Sequence, residues 1–319
     1  MNKQVIGFFT VVIVLGGAVL GWAVWRHTPT ASTHSDGKLL VTASFYPLAD
    51  FAQHVGGNLV SVVNLTPAGA EPHDFEPSPQ DIVRLQNSRV FIYNGASLEA
   101  WANRVLPDLQ SRGVVTVQAS RGIQLLAGIS EEDTTSVQPP VDPNQADPHV
   151  WMDPLLAIQE VENIKNGFIQ ADPAHAGQYQ ANAAGYENNL RQLDVAFRNG
   201  LSQCERQDIV TSHAAFGYLA RQYHLTMVPI AGLSPDAEPS PQRLAQIADF
   251  ARQHHVTYIF FESLVSPKLS DTIAHEVGAQ TIAFNPLEGL TDTELQQGKN
   301  YLSVQRDNLN SLQVALGCH

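Results

Sequence analysis

The chain is poor in charge, in basic residues and in cysteine, and each shortage excludes something. Only 15% of its 319 residues are charged; Lys and Arg number 18 against 31 Asp and Glu, for a net charge of −13. Proteins that grip phosphate backbones cluster Lys and Arg, and no such cluster occurs, so a nucleic-acid partner is excluded. Cysteine occurs twice, as Cys204 and Cys318. A pair so far apart, with no third cysteine, is not a metal motif. In an exported chain it reads as one disulfide. By the chain-entropy account, closing a loop of that length stabilises by roughly 4–5 kcal/mol. Two hydrolytic signatures also fail. His275-Glu276 is followed at the required spacing by Ala279 rather than His, which breaks the metalloprotease pattern. Gly95-Ala96-Ser97-Leu98-Glu99 lacks the second glycine of a nucleophile elbow.

Apolar residues make up 44% of the chain, which argues for a globular body, and the length suffices for two domains of ordinary size. After Met1-Asn2-Lys3-Gln4, the run Val5 to Trp25 carries no charge, and Arg26 and His27 follow. Such a run is a secretory signal or a membrane anchor, long enough to span a bilayer. It places the body outside the cytoplasmic membrane. The run holds no Cys, which excludes a lipid-modified cysteine there, and 28–38 reads as a polar tether.

Beyond it, strand and helix signals alternate. Strands are expected at 39–44, 58–65, 89–93 and 114–119, with helices at 46–55, from Ser78-Pro79 onward, and at 98–109. Ser followed by Pro is an N-cap and first-turn signal. The stretch 128–148, with Pro139, Pro140, Pro143 and five acidic residues, reads as an exposed loop. A long helical region, 155–202, is punctuated only by Asp172-Pro173. Strands at 208–211, 225–230, 257–262 and 280–285 then alternate with helices at 214–223, 240–255 and 267–277. A closing helix spans 291–316, with Thr291 and Glu294 spaced as a capping box. The βα alternation predicts an α/β fold with parallel sheets. The boundaries are 1–38 for the signal or anchor and tether, 39–154 for a first lobe, 155–203 for a linking helix and 204–319 for a second lobe.

Three histidines stand just beyond expected strands, in Glu71-Pro72-His73-Asp74, Asp147-Pro148-His149-Val150 and Thr211-Ser212-His213-Ala214. Asn285-Pro286-Leu287-Glu288-Gly289 places a carboxylate similarly. Imidazole and carboxylate are what Zn²⁺ accepts, four at a time. Ligands in open α/β sheets bind beyond the carboxyl ends of strands, so four distant loops can converge in a cleft between lobes. Asp74, Asp147 or Asp153 can orient a ring through its other nitrogen. Glu262, which ends a strand without a matching motif, reads as structural or as such an orienting group.

These four segments, extended to Gly69–Ser78, Asp147–Pro154, Thr211–Tyr218 and Asn285–Leu290, resemble the signatures of the metal-binding receptors of ABC importers, the cluster A-I solute-binding proteins. The resemblance covers 39–316. It implies two lobes joined by a rigid helix, a metal in the cleft between them, and delivery to a membrane permease by a monomer that is not an enzyme. A histidine at position 213 resembles the zinc branch, whose three histidines are completed by a carboxylate or water. The alternative is a manganese or iron receptor of the same fold, the manganese branch having two histidines and two carboxylates, and a zinc-dependent hydrolase is a more distant one. The implied ligands are His73, His149, His213 and Glu288, and the cargo is Zn²⁺. Unlike many zinc-branch members, this chain has no histidine in its 128–148 loop.

Overall fold

The computed structural model describes residues 37–129 and 141–319. The expected anchor at Val5–Trp25 and the central part of the acidic loop lie outside the described residues. Two four-stranded parallel sheets organise the rest. The first holds β1 (Leu39–Ala43), β2 (Val60–Asn64), β3 (Val90–Tyr93) and β4 (Val115–Gln118) in the order β2-β1-β3-β4. Between its strands run helices α1 (Tyr46–Gly56), α2 (Pro79–Asn87) and α3 (Ala102–Ser111). A two-stranded antiparallel ribbon follows, β5 (Ala127–Ile129) against β6 (Val141–Ala146). The ends of the expected loop are therefore paired rather than irregular.

Helices α4 (Pro154–Ala171) and α5 (Ala176–Gly200) occupy the long helical region. The chain turns at Asp172-Pro173, where proline cannot continue the ladder of the helix before it. The two helices pack on one another, with Phe168 and Tyr179 ring to ring at 5.4 Å beside the turn. The second sheet holds β7 (Asp208–Thr211), β8 (Thr226–Pro229), β9 (Tyr258–Phe261) and β10 (Gln280–Ala283), ordered β10-β9-β7-β8. Its helices are α6 (Gly217–Gln222), α7 (Pro241–Gln253) and α8 (Lys268–Val277), and the chain closes with α9 (Asp292–Gln296) and α10 (Tyr301–Leu316). In each sheet the strand that comes first in sequence lies between the second and the third. Both sheets thus switch direction beside their first strand, where open α/β sheets bind ligands.

The caps explain several boundaries. Ser78 accepts from the Asp81 amide and Ser240 from the Arg243 amide, each just before a first-turn proline. Such caps contribute about 1 kcal/mol. The closing helix is broken in two: Gly298 takes a left-handed φ of 74°, and Asn300 then caps α10 in a box with Ser303.

One apolar cluster draws on both sheets and on α4 and α5. Phe45, Phe51, Trp151, Phe168, Phe197, Phe216, Phe284 and Tyr301 all lie in it, essentially without exposure. Two smaller clusters lie apart from it, one around Leu85, Phe91 and Trp101, the other around Val210, Ile247 and Ile259. Cys204 and Cys318 are bonded, tying the end of α10 to the start of the second half.

Candidate metal centre

Each expected ligand sits in a loop beyond a strand's carboxyl end or at the entry to a helical segment. His73 lies between β2 and α2. His149 opens the turn Val150–Met152 that leads into α4. His213 follows β7, and Glu288 follows β10. Three of the four come one or two residues after a proline: Pro72, Pro148 and Pro286. Proline fixes its own φ and holds the preceding residue extended, which narrows what these loops can adopt. Further bonds pin the loop backbones. Asn94 Nδ2 donates to the Pro148 carbonyl at 2.9 Å, and Thr211 Oγ1 donates to the His213 carbonyl at 2.8 Å.

The four side chains meet. The Nε2 atoms of His73, His149 and His213 stand 3.2, 3.0 and 3.2 Å from Oε1 of Glu288. His73 Nε2 is 3.3 Å from His149 Nε2, and one donor atom from each of the four lies within 4.8 Å of the rest. Zinc bonds of roughly 2.0–2.2 Å place tetrahedral donors about 3.3–3.5 Å apart. The observed spacings approach that figure, so the donor set fits one tetrahedral ion. His149, His213 and Glu288 are fully buried, and the His73 side chain is 12% exposed. His73 is therefore the edge of the site that faces solvent.

Two rings are fixed from behind. Nδ1 of His149 donates to Asp147 Oδ1 at 2.7 Å, and Nδ1 of His213 donates to Glu262 Oε1 at 2.5 Å. A proton held on Nδ1 leaves the Nε2 lone pair pointing inward, the state a metal needs. Of the orienting candidates in the sequence, Asp147 serves His149. Asp153 instead caps α4, accepting from the Leu155 amide at 2.8 Å. Asp74 is exposed and lies against Asp236. Glu262 is the orienting group that its sequence context left undecided. Its one signal was that it ends a strand, as the ligand loops do.

The electrostatics are those of a cation hole. Burial opposes charge on His213, yet Glu262 and Glu288 outweigh it and hold the imidazole well above its ordinary pKa. Burial is likewise overcome at His149, raised by Asp147 and Glu288. Burial favours the neutral acid at Glu288, but the charge on His213 and the bonds from the three rings draw it well below the carboxylate range. Glu71, whose Oε1 accepts from the His73 amide at 3.2 Å, is pushed up to about 9 by burial and then by Glu288. A divalent cation would compete with protons for these atoms.

The comparisons with known proteins agree with this chemistry. Residues 41–315 match the family described as "ZnuA: Zinc-uptake complex component A periplasmic". The chain is 39% identical over 318 residues to the "High-affinity zinc uptake system protein ZnuA" of Bacillus subtilis (strain 168), covering 99% of each. It is also 39% identical over 279 residues to the "Zinc-binding lipoprotein AdcA" of Streptococcus pneumoniae (strain ATCC BAA-255 / R6), over 87% of this chain but only 56% of that protein. The chain thus spans little more than half the length of AdcA. The structure of the Zn(II)-bound ZnuA-like domain of Streptococcus pneumoniae AdcA superposes with a TM-score of 0.76, at 37% identity over 88% of this chain and 99% of that one.

Proposed function

We propose, from the premise that the chain belongs to the ZnuA family of zinc-uptake components, that it is an extracytoplasmic zinc receptor that hands Zn²⁺ to an ABC permease. The observation that carries this reading is the convergence of three Nε2 atoms, each within 3.2 Å of one carboxylate oxygen of Glu288. His73, His149, His213 and Glu288 are the ligands, and Zn²⁺ is cargo. Four protein donors close the coordination sphere, whereas hydrolytic zinc keeps an open position for water. The protein therefore captures and releases rather than catalyses, and it works as a monomer. The ion is held between the half formed by 39–154 and that formed by 204–319, with 155–203 joining them. Residues 5–25 direct the body out of the cytoplasm or keep it at the membrane. Three imidazoles and one carboxylate favour a borderline ion, Zn²⁺, over harder Mn²⁺.

Calorimetric titration of metal-free protein tests the reading. One Zn²⁺ per chain is expected, with Mn²⁺ bound far more weakly. His149→Ala removes a ligand outright, so its affinity should fall by more than the roughly 10–100-fold typical of losing a supporting group. Unchanged affinity in that variant refutes the ligand assignment.

A further inference from the structure

The face of α10 turned to the core carries three polar residues where an amphipathic helix ordinarily places apolar ones. Tyr301, Gln305 and Asn308, spaced one and two turns apart on one face, are each at most 2% exposed. A buried amide or hydroxyl is unfavourable unless it is hydrogen-bonded, and here the partners are the backbones of two ligand-bearing segments. Asn308 Oδ1 accepts from the Asn285 amide at 2.9 Å, while its Nδ2 donates to the Asn285 carbonyl at 2.7 Å. One side chain thereby mimics a neighbouring strand for the residue at which β10 gives way to the Glu288 loop. That loop needs a hold. Leu287 sits at a left-handed φ of 61°, an unfavourable state for a branched side chain, and its amide donates to Asn285 Oδ1 at 2.7 Å.

The same helix grips the other segment. Tyr301 OH donates to the Trp151 carbonyl at 2.5 Å, and Gln305 Nε2 donates to the Met152 carbonyl at 3.3 Å. The two segments are then joined directly, since Trp151 Nε1 donates to the Pro286 carbonyl at 2.8 Å. Trp151 and Pro286 each lie two residues from a candidate ligand, His149 and Glu288 respectively.

We infer that Asn308 is a positioning residue for Glu288, and that the Tyr301–Gln305–Asn308 stripe, closed by Trp151, holds the Glu288 loop and the His149 turn as one preassembled half of the metal site. The inference rests on the zinc-receptor reading for its consequence but not for its geometry. Loss of the Asn308 clamp frees Asn285 and lets the Glu288 carboxylate leave the ion, while the three imidazoles remain.

The test uses the full chain and the variants Asn308→Ser, Trp151→Phe and Glu288→Ala, with Zn²⁺ and Co²⁺ as probes. Asn308→Ser should weaken Zn²⁺ binding about as far as Glu288→Ala does, and by at least the roughly 10–100-fold typical of losing a group that supports a ligand. In a Glu288→Ala background the same substitution should change affinity by no more than about twofold, because the ligand it positions is already gone. Trp151→Phe keeps an aromatic ring but removes the N–H together with part of the buried indole; it should show the same dependence on Glu288 with a smaller loss. The visible Co²⁺ spectrum of Asn308→Ser should match that of Glu288→Ala. A merely destabilising substitution would not produce that match. In metal-free protein, the backbone amides of 285 and 287–290 should exchange faster in Asn308→Ser than in the unaltered chain. Equal losses with and without Glu288, or unchanged amide exchange, overturn the inference. Faster exchange in a protein that takes up no zinc leaves the clamp standing and refutes the receptor reading instead.

Discussion

Glu262 offers the sharpest perturbation of the site, because it is not among the four expected ligands and yet holds the ring of one of them, His213. It is 2% exposed, and its Oε1 takes the Nδ1 proton of His213 at 2.5 Å and a bond from Ser212 Oγ. Glu262→Gln keeps the shape and removes the charge. His213 then loses the partner that makes it basic and holds its proton on Nδ1. Part of the neutral population carries its proton on Nε2, the atom facing the ion, and must shift it before binding. Supporting carboxylates of this kind are worth about 10–100-fold in metal affinity, or roughly 1.4–2.7 kcal/mol. The loss should also depend on pH. With Glu262 present, His213 is raised well above its ordinary value, so protons compete with zinc over a wider range. Without it that competition shrinks, and the gap between the two proteins should narrow as pH falls from 8.5 toward 6. Competition against a chromophoric chelator across that range gives both quantities. A folded Glu262→Gln protein that binds zinc as tightly as the unaltered chain at pH 8 refutes the orienting role. A gap that widens toward low pH refutes the electrostatic account of it.

Two further expectations concern stability. Asp153, 4% exposed, is raised from 3.8 to about 6, chiefly by burial and against the helix amides it accepts from. Its folded pKa lies above its unfolded value, so ionising it destabilises the fold as pH rises through about 6, and below 3.8 the effect is absent. Asn caps helices as well as Asp does. Asp153→Asn should therefore raise the unfolding free energy from denaturant titration at pH 8 by an increment on the order of 2–3 kcal/mol, vanishing by pH 3.5; an equal effect at both pH values contradicts this. The Cys204–Cys318 bond closes 114 residues. Replacing both by Ser should lower stability by roughly 4–5 kcal/mol and leave zinc stoichiometry at one. A loss of stoichiometry would show that the bond shapes the site as well as the unfolded chain.

Strands β1, β7 and β10 and the Ser-Pro helix starts were legible because alternation, β-branched runs and caps are local signals. Helix α3 begins at Ala102, later than periodicity implies. Gly95, Ala96 and Ser97 all take left-handed φ values, and nothing in Ala or Ser announces that; the Glu99 carboxylate, accepting from the Asn94 and Gly95 amides and from Ser44 Oγ, holds the turn. Strand β6 was hidden by Asp142-Pro143, a pair that reads as a breaker but is tolerated where a strand has a free edge. The break at Gly298 did carry a cue, since Asn300 and Ser303 stand at capping-box spacing inside an apolar periodicity that overrode them.

The metal centre divides along the same line, and the division has a physical reason. Its histidines were legible because each follows a strand or a proline in a short segment of distinctive chemistry. What would let those histidines act as donors is not local. The ring of His213 is set by Glu262, 49 residues away in sequence. The backbone before Glu288 is set by Asn308 on the last helix, 23 residues from Asn285, and the sequence marks Asn308 only as one of the polar residues on the helix's core-facing side. A donor set can be read from residue types, because the ion's preferences are chemical. The geometry that holds the set together comes from tertiary hydrogen bonds, and a polar residue at a core position of an amphipathic helix is the trace they leave in the sequence. That trace predicts a buried polar partner, and in α10 the partners are the loops that carry His149 and Glu288.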